Sequence, residues 1–338
     1  MDTRDVIVVG GGPAGSSCAW RLAQRGIDCL VLDAQTFPRL KLCAGWITPE
    51  AVADLELEPA AYPHGFLTFD HIYFHFPVLG INTRTTQHSI RRIEFDAWLL
   101  DRSGAPVVTH NVRDIRRDGD WYVIDEQFRC RYLIGAGGTK CPVYRNLFRA
   151  ANPRAKTLQA VTLEQEFPYD YRDPLCHLWF FERGLPGYSW YVPKAGGHLN
   201  VGIGGMAARL KANGDDIKNH WAYLIDKLGR LGLVRGHEWN PKGYSYFIRG
   251  NVRVVRVGNA FITGDAAGLA TRDLCEGIGP AVKSGLLAAA AIADGAEYSL
   301  EALARYSSPA RLVQRAMDYM LHRRGGRLPN ERTAARAA

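Results

Sequence analysis

The stretch "DVIVVGGGPAGSSCAWRLAQRGIDCLVLD", residues 5–33, constrains the fold more than any other part of the chain. A β-branched run at 6–9 leads straight into Gly10-x-Gly12-x-x-Gly15. Cys18, Ala19, Leu22 and Ala23 then recur at helical spacing, and "DCLVLD" reads as a second strand. Strand, glycine turn, helix and strand make a βαβ unit, which calls for a parallel sheet. Each glycine has a mechanical reason. Gly10 permits the tight turn, Gly12 lets the backbone approach a pyrophosphate, and Gly15 lets the helix pack close to the strand. The helix start at Pro13 and Ala14 offers free N–H groups and partial positive charge. Asp33 closes the second strand, just before Ala34 and about 20 residues past the loop, where a carboxylate accepts ribose hydroxyls. The motif alone does not separate NAD from FAD.

Two later segments have the same character. "RRIEFDAWLLDRSG" places Arg92-x-x-Phe95-Asp96 at the start of an amphipathic helix over 94–103. "FITGDAAGLATRDLCEGIGPAVKSG" ends an apolar strand, read over 255–268, on Gly264-Asp265, with Gly268 just beyond. A carboxylate at a strand tip can bind a sugar or ribityl hydroxyl. The helix expected over 277–295, opening at Gly277 and Ile278, can aim its dipole at developing negative charge. The aromatic-rich runs 71–79, 175–181 and 188–193 read as strands of a second, mostly antiparallel sheet.

Composition excludes several classes. With 47% hydrophobic and 22% charged residues the chain is not disordered, and 338 residues allow one large domain or two interleaved ones. The net charge of +8 suits an anionic cofactor or a membrane surface, and part of it collects in a basic tail at the C-terminus. Nucleic acid is not expected, because no binding motif is present and the basic residues are not interleaved with aromatics. The N-terminus has no secretory pattern, and the longest apolar run, 285–293, is far short of the roughly 20 residues that span a bilayer. Seven scattered cysteines, with no CxxC pair and no zinc spacing, point to reduced thiols in a cytoplasm and to no metal site.

Taken in order, the glycine loop with Asp33, Arg92-x-x-Phe95-Asp96 and Gly264-Asp265-Ala-Ala-Gly268 resemble the FAD-binding framework of p-hydroxybenzoate-hydroxylase-like flavoproteins. Within that group the chain most resembles the geranylgeranyl reductase family. "PRLKLCAGWITP" is similar to the family's Pro-Arg-x-Lys-x-Cys-Gly-Gly segment. "GYSWYVPKAGGHLNVGIGG" is similar to its Tyr-x-Trp-x-Phe-Pro-Lys…Val-Gly-x-Gly segment, and "DLCEGIGPAVKSG" to its helix start. The match runs from residue 5 to about 290. It departs at Gly137, where Asp is usual, at Cys141 (Ser), at Thr271-Arg272 (Asn-Pro), and at Cys275 and Ala44 (Gly).

The resemblance implies an α/β fold, with a Rossmann-like FAD-binding domain and an inserted, mostly antiparallel β-sheet substrate domain. The expected FAD-binding segments are 1–60, 88–152 and 251–296, with the substrate domain at 61–87 and 153–250. A helical segment at 297–324 and the basic tail at 325–338 would follow. It implies FAD contacts from Gly10, Gly12, Pro13, Ala14, Gly15, Asp33, Ala34, Arg39, Lys41, Cys43, Ala44, Arg92, Gly264, Asp265, Gly268, Gly277 and Ile278. The implied reaction is reduction of C=C bonds in an isoprenoid or lipid-like substrate by hydride from reduced flavin, with Tyr188 and Trp190 at the substrate. NAD(P)H or another electron donor is left open, as is peripheral attachment to a membrane. The alternative is an FAD-dependent monooxygenase or hydroxylase of an aromatic or polyketide-like molecule. Cys43, Cys275, Tyr188 and water are the candidate proton donors. Cys43 reads first as a packed thiol, then as a reactive thiol beside Lys41, and, as the boldest reading, as one partner of a redox pair with Cys275.

Overall fold

A computed structural model describes residues 1–322 of the chain. The expected tail at 325–338 lies outside the described residues, as do residues 323 and 324. The first strand, Asp2–Val9, sits at the centre of the first sheet, with residues 6–9 fully or almost fully buried. It pairs in parallel with Cys29–Asp33 on one side and Phe128–Gly135 on the other. Val107–Thr109 and Ala260–Ile262 extend the parallel order outward. A hairpin, Ile115–Asp118 and Trp121–Ile124, joins the Phe128–Gly135 strand antiparallel. Burying side chains such as Ile7, Leu30 and Leu133 is worth about 1.5–3 kcal/mol each.

Helix Pro13–Gln24 packs against Arg92–Arg102 and Ile278–Ala293. Small residues let two of these helices touch, since a Cβ on Gly285 would stand 2.1 Å from the Ala14 carbonyl oxygen. Ser284 next to it accepts the Gly264 N–H at 2.9 Å. The Lys-Ser-Gly signature of the sequence therefore clamps helix Ile278–Ala293 to the glycine loop and to the tip of the last parallel strand.

The second sheet is eight-stranded, in the order Lys242–Phe247, Gln159–Pro168, His198–Met206, Gly187–Lys194, Cys176–Phe180, Leu67–Phe76, Leu79–Ser89 and Trp46–Ile47. It is antiparallel except where Cys176–Phe180 runs parallel to Leu67–Phe76. One face packs on helix Ile217–Arg230 through Trp221, Leu224 and Leu228. The other carries Phe69, Ile72, Leu178, Phe180 and Trp190 and meets the C-terminal helix Arg311–His322 through Met317 and Leu321. Among the described residues no helix is long and apolar enough to cross a membrane.

Three local expectations need correction. The apolar run 71–79 is not one strand: it stops at Phe76, turns at Pro77 and Val78, and returns as Leu79–Ser89. Proline cannot donate to a ladder, so the strand ends there. The stretch 255–268 is two short strands, Arg256–Val257 and Ala260–Ile262, broken by Gly258 at φ +57°. In 297–324 the described helix is confined to Arg311–His322, because 297–310 runs as turns, bends and irregular chain.

Candidate active site

Residues from both sheets line one cavity of about 760 Å³. That falls within the roughly 300–1,000 Å³ of cofactor and ligand pockets. Every residue expected at FAD borders it except Gly15 and Gly268, and Tyr188, Trp190 and Cys275 border it as well. Gly15 has a packing role instead, since a Cβ there would lie 1.8 Å from the Gly10 carbonyl oxygen. Gly268 turns the chain at φ +66° beside Phe247.

At one end lies the glycine loop. Gly10 adopts φ +112°, and a Cβ there would meet the Ala136 carbonyl oxygen at 2.4 Å. Gly12 faces open space, with only Arg39 Nη2 as near as 3.4 Å to its Cβ position. No side chain caps the helix that starts at Pro13, so its N-terminal dipole faces the cavity unspent. Asp33 accepts the Gly11 N–H at 2.7 Å and the Gln35 N–H at 2.9 Å, which aims its carboxylate along the same wall.

Two arginines converge on one acid nearby. Arg92 forks onto Asp96 at 2.7 and 2.8 Å, and Arg39 Nη1 lies 3.5 Å from the same carboxylate. Burial opposes the charge on Arg92, but Asp96 and the Cys43 thiol outweigh it and hold the guanidinium protonated. Two cations against one buried anion leave net positive charge at the cavity, as a pyrophosphate requires. Asp265 offers a half-buried carboxylate, to which no hydrogen bond is made among the described residues. A free N-terminus, a bare Gly12, excess cation and two carboxylates positioned for hydroxyls together fit FAD. These residues would hold it.

The other end is built around the loop 43–45, which three residues of the second sheet hold from below. Lys194 is fully buried and donates to the carbonyls of Ala44, of Gly45 at 3.4 Å and of Ile90 at 3.0 Å. Asn200 donates to the Cys43 carbonyl at 3.3 Å and accepts from Trp190 Nε1 at 2.7 Å. Gly45, at φ +68°, has no room for a Cβ, which would lie 2.2 Å from the Ile90 carbonyl oxygen. The Tyr-x-Trp-x-x-Pro-Lys motif thus supports the cysteine loop as well as facing the cavity.

The expected proton donors differ in their surroundings. Tyr188 gives its hydroxyl proton to the Leu274 carbonyl at 2.5 Å, and burial pushes its pKa well up. Cys275 bonds to the Tyr246 hydroxyl, and burial pushes its thiol up to about 11. Cys43 is half-buried, and its Sγ accepts the Gly45 N–H at 3.3 Å. Both cysteines border the cavity as free thiols, and no disulfide joins them.

Several lining residues escape a linear reading. His110, Asn111 and Val112 follow the strand Val107–Thr109 and line the cavity beyond Asp33. Thr162, Glu164, Tyr244 and Tyr246 come from neighbouring strands of the second sheet. Lys41 lies 3.5 Å over the Tyr244 ring. Alternation would have flagged Glu164, since in "AVTLEQEF" it falls on the same face as Ala160 and Thr162. The departure at Thr271-Arg272 has a local reason. Arg272 Nε donates to Asp318 at 2.9 Å and so ties this turn to the C-terminal helix.

A family model described as FAD dependent oxidoreductase matches residues 5–88. An uncharacterised protein of Methanosarcina barkeri is 32% identical over 305 residues, covering 86% of this chain and 75% of that one. A menaquinone reductase of Mycobacterium tuberculosis is 29% identical over 323 residues, covering 85% and 76%. The fold is shared with a geranylgeranyl bacteriochlorophyll reductase-like protein of Thermoplasma acidophilum at TM-score 0.75 and 19% identity, covering 95% and 83%. It is shared too with a flavin-dependent halogenase at TM-score 0.70 and 20% identity, covering 95% and 63%. With the glycine cradle, the cysteine loop and the Lys194 support in place, the chain belongs with the FAD-dependent oxidoreductases, in one family with the Methanosarcina barkeri protein.

Proposed function

We propose that this oxidoreductase reduces carbon–carbon double bonds in the isoprenoid chain of a lipid-like substrate. One observation carries the reading: the cavity changes character along its length. The end at Gly12, Arg39 and Asp33 is charged, whereas Tyr188, Trp190, Tyr246 and Leu274 form an aromatic and apolar wall at the other. Phe74, Phe76 and Phe180 back that wall. The relative described as a menaquinone reductase supports a substrate with a long apolar chain. Such a substrate would bring the protein to a membrane surface as a peripheral enzyme.

FAD, when bound, supplies the hydride in such a reaction. The chain's own residues would do the rest. The aromatic wall excludes water and aligns the chain, and Lys194 with Asn200 fixes the loop 43–45 against it. An isolated alkene has no carbonyl to polarise, so a group that gives up a proton must border it.

The test is anaerobic incubation of the FAD-loaded, chemically reduced protein with menaquinone, and separately with geranylgeranyl diphosphate, followed by mass spectrometry. The expected product carries two added hydrogens per reduced double bond. A parallel aerobic incubation with halide present that gave a hydroxylated or halogenated aromatic product, with no saturated chain, would instead establish monooxygenase chemistry or the halogenase chemistry named for other bearers of this fold. Repeating the incubation with NADPH, NADH or reduced ferredoxin in place of the chemical reductant identifies the electron donor.

A further inference from the structure

Glu164 stands in the strand Gln159–Pro168 and is 4% exposed, yet it borders the cavity. Strand alternation puts it on the face of Ala160 and Thr162, while Val161 and Leu163 pack on the opposite cluster. Its cross-strand neighbours are Gly202 and Lys242. Gly202 contributes no side chain, and the Trp190 indole fills the space between them. A Cβ on Gly202 would lie 2.1 Å from the indole and 2.8 Å from the Glu164 Cβ. The carboxyl is therefore set between an aromatic plane and the cavity.

The charged groups around it are committed elsewhere. Lys194 spends its ammonium on three backbone carbonyls, and Lys41 sits over the Tyr244 ring. Glu166, on the same strand, pairs with Arg91 at 2.9 Å. Lys242, across the strand, is exposed. Among the described residues Glu164 forms no ion pair; the backbone N–H of Cys43 and, at longer range, Lys194 and Lys41 favour its ionised form, but burial outweighs them. A buried carboxyl without a salt bridge keeps its proton.

We propose that Glu164 is the proton donor of the reduction, and this rests on the reading of the site as an alkene reductase. The carboxylic acid proton passes to one alkene carbon, using the electron pair of the π bond. The other carbon takes the hydride that reduced FAD supplies, so two C–H bonds form as one π bond is lost. Glu164 is left as a carboxylate, which the Cys43 N–H, Lys194 and Lys41 stabilise, and it recovers a proton from solvent. Burial pushes this carboxyl up to about 7, so it carries a proton at neutral pH and can release it.

Two measurements on the FAD-loaded protein test this. The first needs no substrate: infrared titration for the C=O stretch of a protonated carboxyl, in wild type and Glu164→Gln. The expected band fades as pH rises through about 7 and is smaller in the variant, which keeps only the share of Glu276. A band of equal size in the variant overturns the assignment. The second is dihydro-product formation from menaquinone across pH. Glu164→Gln, with FAD absorbance retained, should lose about 100-fold or more. Its wild-type fall in rate above neutral pH should vanish, and Glu164→Asp should recover part of the rate. A Glu164→Gln variant with unchanged rate and pH profile overturns the donor role while leaving the reductase reading intact. A wild type that saturates neither menaquinone nor geranylgeranyl diphosphate defeats that reading itself, whatever the infrared band shows.

Discussion

The Trp190 indole lies across Gly202 so closely that a Cβ on the glycine would stand 2.1 Å from Cζ2. The glycine is thus the floor on which the tryptophan rests. The same indole holds Asn200, and Asn200 holds the Cys43 carbonyl, so this one contact positions the cysteine loop. Gly202→Ala must move the ring, at a cost of about 1–3 kcal/mol for overpacking. The expected result is a lower unfolding midpoint, a shifted tryptophan emission and weaker FAD retention. Gly204→Ala is the control, because its Cβ would meet Thr162 at 3.3 Å and Trp190 at 3.6 Å. Its cost should stay below about 1 kcal/mol. Equal effects from the two variants would remove Trp190 from this role.

Lys194→Met keeps the length of the side chain but removes every hydrogen bond to the loop. The carbonyls of Ala44 and Ile90 then lose their buried donor. Unsatisfied buried acceptors cost roughly 1–3 kcal/mol each, so a loss of about 3 kcal/mol is expected. Since residues 43 and 44 line the cavity, FAD affinity should fall with stability. Equilibrium unfolding and fluorescence titration with FAD measure both. Unchanged FAD affinity would mean that the loop holds its shape without the lysine.

What was legible in the chain was what is contiguous. Gly10, Gly12, Gly15 and Asp33 lie within one βαβ unit, where spacing alone carries the geometry. The packing role of Gly15 was legible there too, although Gly15 does not border the cavity. The support of the loop 43–45 was not legible, because Lys194 and Asn200 reach it across some 150 residues of chain through sheet pairing. Glu164 was hidden for the same reason: its meaning depends on Gly202 and Trp190, which reach it only through strand register. The strand Leu79–Ser89 lacked a signal altogether, since most of it is exposed and polar.

The buried acids also give folding stability a pH dependence. Burial pushes both Glu164 and Glu276 up to about 7. An unfolded glutamate titrates near 4.3. The folded state therefore holds the protons more tightly, and each acid contributes stability fully below the unfolded pKa. That contribution is lost as pH rises through about 7. Each could remove on the order of 3 kcal/mol across this window. Urea unfolding of the FAD-free protein between pH 5 and pH 8 should show stability falling, and Glu164→Gln should flatten part of the slope. A slope identical in wild type and variant would show that Glu164 is already ionised at the low end.

Cys275 supplies the last prediction. It adopts φ +56°, a conformation that side chains with a Cβ rarely take, at a position where the family usually has glycine. The left-handed backbone costs a non-glycine residue of order 1–3 kcal/mol. What offsets it here is the bond between the Tyr246 hydroxyl and the thiol, together with the packing of Cys275 against the core cluster that holds Met206 and Leu321. Cys275→Gly removes the strain and these contacts together, but glycine also gains entropy in the unfolded chain. The net change in stability should therefore be small, within about 1 kcal/mol. The chemical consequence is more telling. If the thiol serves only to fill space behind the wall, Cys275→Gly should retain FAD and turn over at a rate close to wild type. A loss of about 100-fold in turnover, with FAD and unfolding midpoint unchanged, would instead give Cys275 the proton-donor role assigned above to Glu164. Measuring Cys275→Gly beside Glu164→Gln separates the two, because only the true donor combines lost rate with intact cofactor binding.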